Sequence, residues 1–235
     1  EFLFSHILQR YKYSLVMNNI SYLVVSIETS NCINDMKRTF AEALEHRRTY
    51  YSIGNDSSVQ DEEVVHIIRT AVKFVPSSFN SQSSRVVLLL GSEHTKLWDI
   101  VKNKLKALVS DEQFIKKQEK IDGSFACGHG TILFFEDQTV VQSLQKAFPL
   151  YSENFPVWSE HTSGMHQLAI WTMLEDIGLG ASLQHYNPLI DDDVRKNWGL
   201  SESWKLIAQI PFGVPTADPG EKEMKDLSER IKVFR

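Results

Sequence analysis

Cysteine is nearly absent from this sequence. Only Cys32 and Cys127 occur in 235 residues, far apart and in unlike contexts. A disulfide framework is therefore excluded as the source of the fold, and a reducing, cytoplasmic compartment is expected. Long apolar runs are absent too. Nothing approaches the ~20 residues that span a bilayer, and the early stretch 2–16 is interrupted by Arg10 and Lys12, unlike a signal peptide. No membrane partner is expected. Positive charge is in deficit: 25 Lys and Arg against 30 Asp and Glu give 25 − 30 = −5, with no long run of either sign. That balance lacks the clustered basic face of a nucleic-acid binder, so no nucleic-acid partner is expected. Any anionic ligand has to be held by local arginines against the overall sign. There is no internal repeat, no nucleophile-elbow pattern and no linker that would split residues 36–235. Cys127-Gly128-His129-Gly130 offers one Cys and one His where a metal site needs three or four ligands, so no metal is expected. The glycines there suit a close backbone approach.

What is present is ordinary globular composition, 42% apolar and 23% charged. Residues 1–35 carry no Gly or Pro and no clean amphipathic period. They read as an N-terminal extension, with a strand over 22–27 at a sheet edge as the alternative. Regular patterning starts at Met36. A short helix ends near His46. Asp61, Glu62 and Glu63 open a second helix, where acidic side chains suit the positive end of the dipole, and Pro76 stops it. Residues 85–90 and 131–135 read as buried strands, 94–108 and 140–148 as helices. Residues 158–177 form the longest helix, apolar on nearly every side between Leu168 and Leu174, as for a helix buried all round in a core or subunit interface. Gly178 is placed to cap it. Strands are expected over 181–183 and 206–210, the last ended by Pro211 and Gly213. Helices outnumber strands, which predicts an α+β layered domain over 36–235 with a small central sheet.

Three constellations carry chemistry. Arg47-Arg48-Thr49, followed by Tyr50-Tyr51, offers two guanidiniums and a hydroxyl, enough to clamp a phosphate by charge-assisted bonds. The same pair would also merely complement a helix end. Pro76-Ser77-Ser78-Phe79-Asn80-Ser81-Gln82 is a polar loop between an apolar helix and an apolar strand. Its side chains both donate and accept, which suits the edge of a planar heterocycle, although Ser and Asn are also common turn residues. Gly178-Leu179-Gly180-Ala181-Ser182-Leu183-Gln184-His185-Tyr186-Asn187-Pro188 runs from helix to strand to loop, an order and glycine spacing unlike a dinucleotide fingerprint.

In order and spacing these three resemble the FMN-dependent nitroreductase family over about residues 36–235. The resemblance is closest to the short bacterial and fungal subgroup that includes the fatty-acid-repression-mutant proteins. Further pointers are Gly130-Thr131-Ile132-Leu133-Phe134-Phe135-Glu136-Asp137 and Ile210-Pro211-Phe212-Gly213. The resemblance implies a nitroreductase-like fold, with a mostly antiparallel sheet flanked by helices and two chains intertwined as a homodimer. It implies FMN as cofactor, NAD(P)H as reductant and a ping-pong cycle that reduces nitroaromatics, quinones or similar flat acceptors. The protein would bind and orient the flavin, and no side chain is singled out as catalytic. Arg47, Arg48 and Thr49 match the family's phosphate and ribityl contacts. Pro76, Ser77, Ser78, Asn80 and Gln82 match the loop supplied by the other subunit. Leu183, Gln184 and His185 match the segment beside the flavin ring, and Lys222 or Lys225 the late basic phosphate contact. Tyr51, His185 and Tyr186 depart from the family pattern, the first by replacing a second basic residue. Phe79, Phe125, Tyr151 and Phe155, from their loop positions, are candidates to line the acceptor pocket. The rival reading is a non-enzymatic flavin reservoir or redox-linked regulator.

Overall fold

The computed structural model describes residues 38–235. The expected extension 1–35 and its candidate strand 22–27 lie outside the described residues. α1 (Phe40–His46) opens on a reciprocal capping box: the Thr39 hydroxyl accepts from the Glu42 N–H, and the Glu42 carboxylate accepts from the Thr39 N–H at 2.8 Å. There follow β1 (Ile53–Gly54), α2 (Asp61–Phe74), β2 (Ser84–Leu90), α3 (Gly91–Lys106), α4 (Asp111–Ile121), β3 (Gly130–Asp137), α5 (Gln138–Ala147), α6 (Asn154–Asp176), β4 (Gly180–Ala181), α7 (Asp191–Trp198) and β5 (Trp204–Pro215).

The strands form one antiparallel sheet in the order β1-β5-β3-β2, with β4 also paired to β5. This is the expected α+β class. β3 is buried at all eight positions. Strand alternation splits its side chains between two cores. Ile132 and Phe134 face α2 and α6 through Val64, Ile67, Ile170 and Leu174, while Leu133 and Phe135 join Leu97, Trp98, Val101 and Val194 of α3 and α7. Each such side chain, fully buried, contributes about 1.5–3 kcal/mol of transfer free energy.

Several expectations need correction. β2 is an edge strand, buried at Ser84 and Leu89 and only half-buried between, because nothing pairs with its outer side among the described residues. β5 does not stop at Pro211. A proline removes a donor and keeps its acceptor, and the Pro211 carbonyl accepts from the Ser182 N–H at 3.2 Å. Gly213 also lies within β5, for a different reason: a Cβ there would sit 2.2 Å from the Gly54 carbonyl oxygen, so β1 and β5 can cross only at a glycine. α6 begins four residues early, since Pro156 falls in its first turn, where the missing N–H is an orphan anyway. Nor is α6 buried all round within one chain: Val157 is 52% exposed, and Met165 and Leu168 are each 41% exposed. Gly178 does follow the helix, with φ +92°.

Candidate functional site

The end of α6 organises the arginine segment. Glu175 is buried, and its two oxygens engage His46 Nδ1 at 2.7 Å and the Arg48 N–H at 2.7 Å. Asp176 accepts from Arg38 at 3.3 Å. Carboxylates at a helix C-terminus oppose the dipole, so these two stand there because of what they hold. They fix the point where the chain leaves α1 and turns extended at Arg47.

Arg47 is then left in an unusual state. Its guanidinium lies 4.4 Å from the centroid of the Trp171 ring, yet Nε and Nη1 are buried with no hydrogen-bond partner among the described residues. The indole Nε1 of Trp171 is orphaned in the same way. Three buried donors on two stacked side chains, one of them cationic, are costly unless an acceptor completes them. An acceptor-rich anion such as the phosphate of FMN fits that requirement. Arg48 differs: its side chain donates to the Gly220 carbonyl and tethers the C-terminal segment, on which Lys222 and Lys225 are exposed.

The ring-side segment sits beside this cluster. The Tyr50 N–H donates to the Ala181 carbonyl at 2.9 Å, so residues just after Thr49 run against β4. Gly180 is required there, because a Cβ would meet the Tyr50 side chain at 2.8 Å. Beyond β4, Gln184 pairs with Gln209 through both backbone bonds, at 2.8 and 2.9 Å. The fully buried Gln209 side chain accepts from the Tyr186 N–H at 2.7 Å and donates to Asn187 Oδ1 at 3.3 Å. It thereby shapes the turn that presents His185, which is exposed; Leu183 is half-buried against the first core, less completely covered than Ala181.

The loop 76–82 lies at the other end of α6. Three of its non-glycine residues, Phe79 (φ 55°), Asn80 (φ 50°) and Gln82 (φ 50°), are left-handed. Such conformations cost free energy and persist where surroundings impose them. Ser77 Oγ accepts from the Gln82 N–H at 3.0 Å, and Ser78 is half-buried. Pro76, which ends the approach from α2, is exposed. Phe79 rests on Phe148, Phe155, Tyr151 and Trp158 with centroids 4.9–6.1 Å apart. Three of the four aromatics expected in the acceptor pocket thus gather here, although Phe155 is itself buried beneath Phe79. Phe125 does not join them. It packs in the second core against Trp98 (5.0 Å) and Tyr186 (6.3 Å), because the turn after α4 points it inward. Trp158 and Glu175 are 17 residues apart on α6, which at the helical rise is about 25 Å. Within one chain the loop and the arginine cluster are not brought together.

Sequence reasoning missed Trp171, Glu175, Gln209 and Glu136. Each is a single residue without a spacing pattern; only its position in the 130–137 run brings Glu136 into view. Glu136 is fully buried, accepts from Ser83 and Ser84 hydroxyls at 2.5 Å each, and is pushed to a higher pKa by burial, against those two hydrogen bonds. Ser84 Oγ also lies 3.4 Å from His166 Nδ1. This is not a hydrolase triad. Nδ1 serves the Thr162 carbonyl at 2.9 Å and so carries the proton, and burial lowers the pKa of the ring and keeps it neutral. The serine stands between acid and imidazole, where a triad needs the imidazole in the middle. Cys127 donates to the Ile53 carbonyl at 3.2 Å and His129 pairs with Asp61 at 2.7 Å, so both serve the fold around β1 and α2.

Residues 44–214 match the profile described as the Nitroreductase family. The chain belongs to the nitroreductase family. It is 35% identical over 198 residues to HBN1 of Saccharomyces cerevisiae, covering 83% of this chain and 97% of that protein. It is 33% identical over 197 residues to the nitroreductase FRM2 of the same yeast, covering 83% and 96%. Among solved structures, nitroreductase CinD from Lactococcus lactis in complex with nicotinic acid superposes with a TM-score of 0.78 at 48% identity, over 84% of this chain and 100% of that one. CinD in complex with 4-nitrophenol gives 0.77 at 47% identity, with the same coverage. The protein is thus an oxidoreductase enzyme of a family whose usual cofactor is FMN. No helix among the described residues is long and apolar enough to cross a membrane.

Proposed function

We propose that this nitroreductase-family enzyme binds FMN and uses NAD(P)H to reduce flat aromatic acceptors such as nitroaromatics or quinones. The observation that carries the reading is the pair of orphaned guanidinium nitrogens of Arg47 over Trp171, on the segment whose next turn, at Tyr50, pairs with β4. When bound, FMN supplies the capacity to take two electrons from a nicotinamide and pass them to an acceptor. The protein's part is to bind, orient and exclude water. Arg47, with Trp171 behind it and Thr49 beside it, would hold the phosphate. Lys222 and Lys225 add positive charge along the segment that Arg48 tethers. Leu183, Gln184 and His185 would lie along the ring, their turn held by Gln209. That CinD was solved with nicotinic acid and with 4-nitrophenol supports both classes of reactant.

The site is completed by a second copy of the chain. The loop 76–82 and the arginine cluster stand about 25 Å apart along α6, and Val157, Met165 and Leu168 leave apolar surface exposed along the same helix. Two copies packed through α6 in antiparallel fashion bring the loop of one to the arginines of the other. The aromatics Phe79 and Tyr151, with Phe155 beneath, then bound the acceptor side of the partner's flavin. An obligate homodimer of this kind buries more than ~2,000 Å². The test is to purify the protein, release its chromophore by heat, and follow NADH and NADPH oxidation with 4-nitrophenol or a quinone. FMN in the supernatant and acceptor-dependent oxidation are expected. A colourless protein that takes up no added FMN overturns the reading.

A further inference from the structure

The left-handed loop 76–82 closes on itself, through Asn80 N–H to the Ser77 carbonyl, Ser81 N–H to the Ser78 carbonyl and Gln82 N–H to Ser77 Oγ, but these bonds do not fix how it joins the sheet. Its C-terminal end runs into a double clamp. Ser83 and Ser84 both donate to the buried Glu136 carboxylate at 2.5 Å. One residue on, Arg85 donates to the Gln82 carbonyl at 2.8 Å and to Asp137 Oδ2 at 3.0 Å, and the Asp137 N–H donates to the Ser83 carbonyl at 2.9 Å. Two neighbouring acids on β3 thus grip three consecutive residues at the end of the loop.

The strand pairing does not need this clamp. Ser84 and Glu136 already face each other in the β2–β3 ladder, and apolar side chains there would hold the same register without burying a charge. A buried carboxylate is expensive even when satisfied, and it adds directionality rather than net stability. The direction in question is that of Ser83, which lies outside the ladder and follows Gln82 at φ 50°. Fixing Ser83 by its hydroxyl and its carbonyl leaves Gln82 one way to enter β2. The left-handed turn at Phe79 and Asn80 is then set from its C-terminal end.

We propose that Glu136 is a positioning residue for the flavin site: through Ser83 and Ser84 it holds the loop 76–82 in the geometry that contacts the partner subunit's FMN. The proposal rests on reading that loop as a flavin contact. Glu136 touches neither flavin nor acceptor and acts only through the two serines.

The test compares wild type, Glu136→Gln and Ser83→Ala as purified dimers. FMN affinity is measured by fluorescence quenching, the flavin's visible absorption envelope at saturation, and apo Tm by calorimetry. Gln keeps the shape and loses one acceptor, and Ser83→Ala removes the donor while leaving the acid. Both variants are expected to weaken FMN binding about tenfold, as for one lost hydrogen bond behind the loop, and to shift the absorption envelope. Should Glu136→Gln not fold, Ser83→Ala alone carries the comparison. Unchanged FMN affinity and spectrum, with or without a lower apo Tm, overturns the proposal by making the clamp purely structural. Wild type that binds no FMN instead overturns the underlying functional reading, and the clamp's role with it.

Discussion

The two ends of α6 are built on opposite principles. At the C-terminal end the carboxylates of Glu175 and Asp176 are satisfied, and Nε and Nη1 of Arg47 lack an acceptor among the described residues. At the N-terminal end the backbone is left-handed at three side-chain-bearing residues, and aromatic surface is left exposed at Phe79, Phe148 and Tyr151. The first end has the character of a socket for an anion. The second has that of a part made to press against something outside its own chain. A helix of 23 residues keeps them apart. On the function proposed above, the first end takes a phosphate and the second meets another subunit.

The comparison breaks most severely if the two ends are prevented from meeting. Leu168→Glu puts a charge on the exposed apolar stripe of α6, and a two-fold axis puts it there twice. Burying an uncompensated carboxylate costs several kcal/mol per copy. The variant is expected to sediment as a monomer and to lose FMN, while its circular dichroism stays that of the folded chain. A Leu168→Glu protein that remains dimeric would remove this face of α6 from the interface.

A smaller, sharper effect is expected at the C-terminal end. Arg47→Met keeps a long side chain over Trp171 and removes both orphaned donors. Hydrogen bonds to charged groups contribute about 1.5–3 kcal/mol each, so FMN affinity should fall by two orders of magnitude or more. The apo protein should not suffer, because a half-buried cation with two unsatisfied nitrogens has been replaced by an apolar group. Titration of FMN and the apo Tm check the two halves. A clear fall in apo Tm would mean that Arg47 is already satisfied in the free protein.

Much of this was legible in the sequence. The periodicity of 61–75 and the apolar runs at 85–90 and 131–135 gave their elements directly, since helix and strand repeats are local. The three motifs gave the family in combination. What failed was local punctuation overridden by tertiary context. Pro211 and Gly213 read as an end, and the strand continues because the missing donor is not needed there and the missing Cβ is. α7 was not read, although Asp191, Asp192 and Asp193 open it and Gly199 closes it at φ +59°. Arg47 and Arg48 looked equivalent as neighbours, but one is orphaned over Trp171 and the other holds Gly220. Nothing in their spacing distinguishes them. Gln209 could not be found as an isolated polar residue in an apolar strand, and Glu136 came into view only as part of the 130–137 run, because sequence shows the cost of burial but not the partner.

The central claim is that each flavin site is shared between two chains, and mixed dimers test it most directly. One variant carries Arg47→Met and the other carries the loop changes Ser77→Ala, Ser78→Ala and Asn80→Ala, each alone expected to bind FMN poorly. When they are unfolded together, refolded and separated by differential tags, the mixed dimer contains one site with both lesions and one with neither. It is expected to bind about one FMN per dimer with wild-type affinity, and to recover half the NAD(P)H-dependent turnover, because a ligand that bridges two subunits reads both at once. If each site belongs to a single chain, every site in the mixed dimer carries one lesion. FMN binding and turnover as poor as in the parent variants would then contradict the shared site.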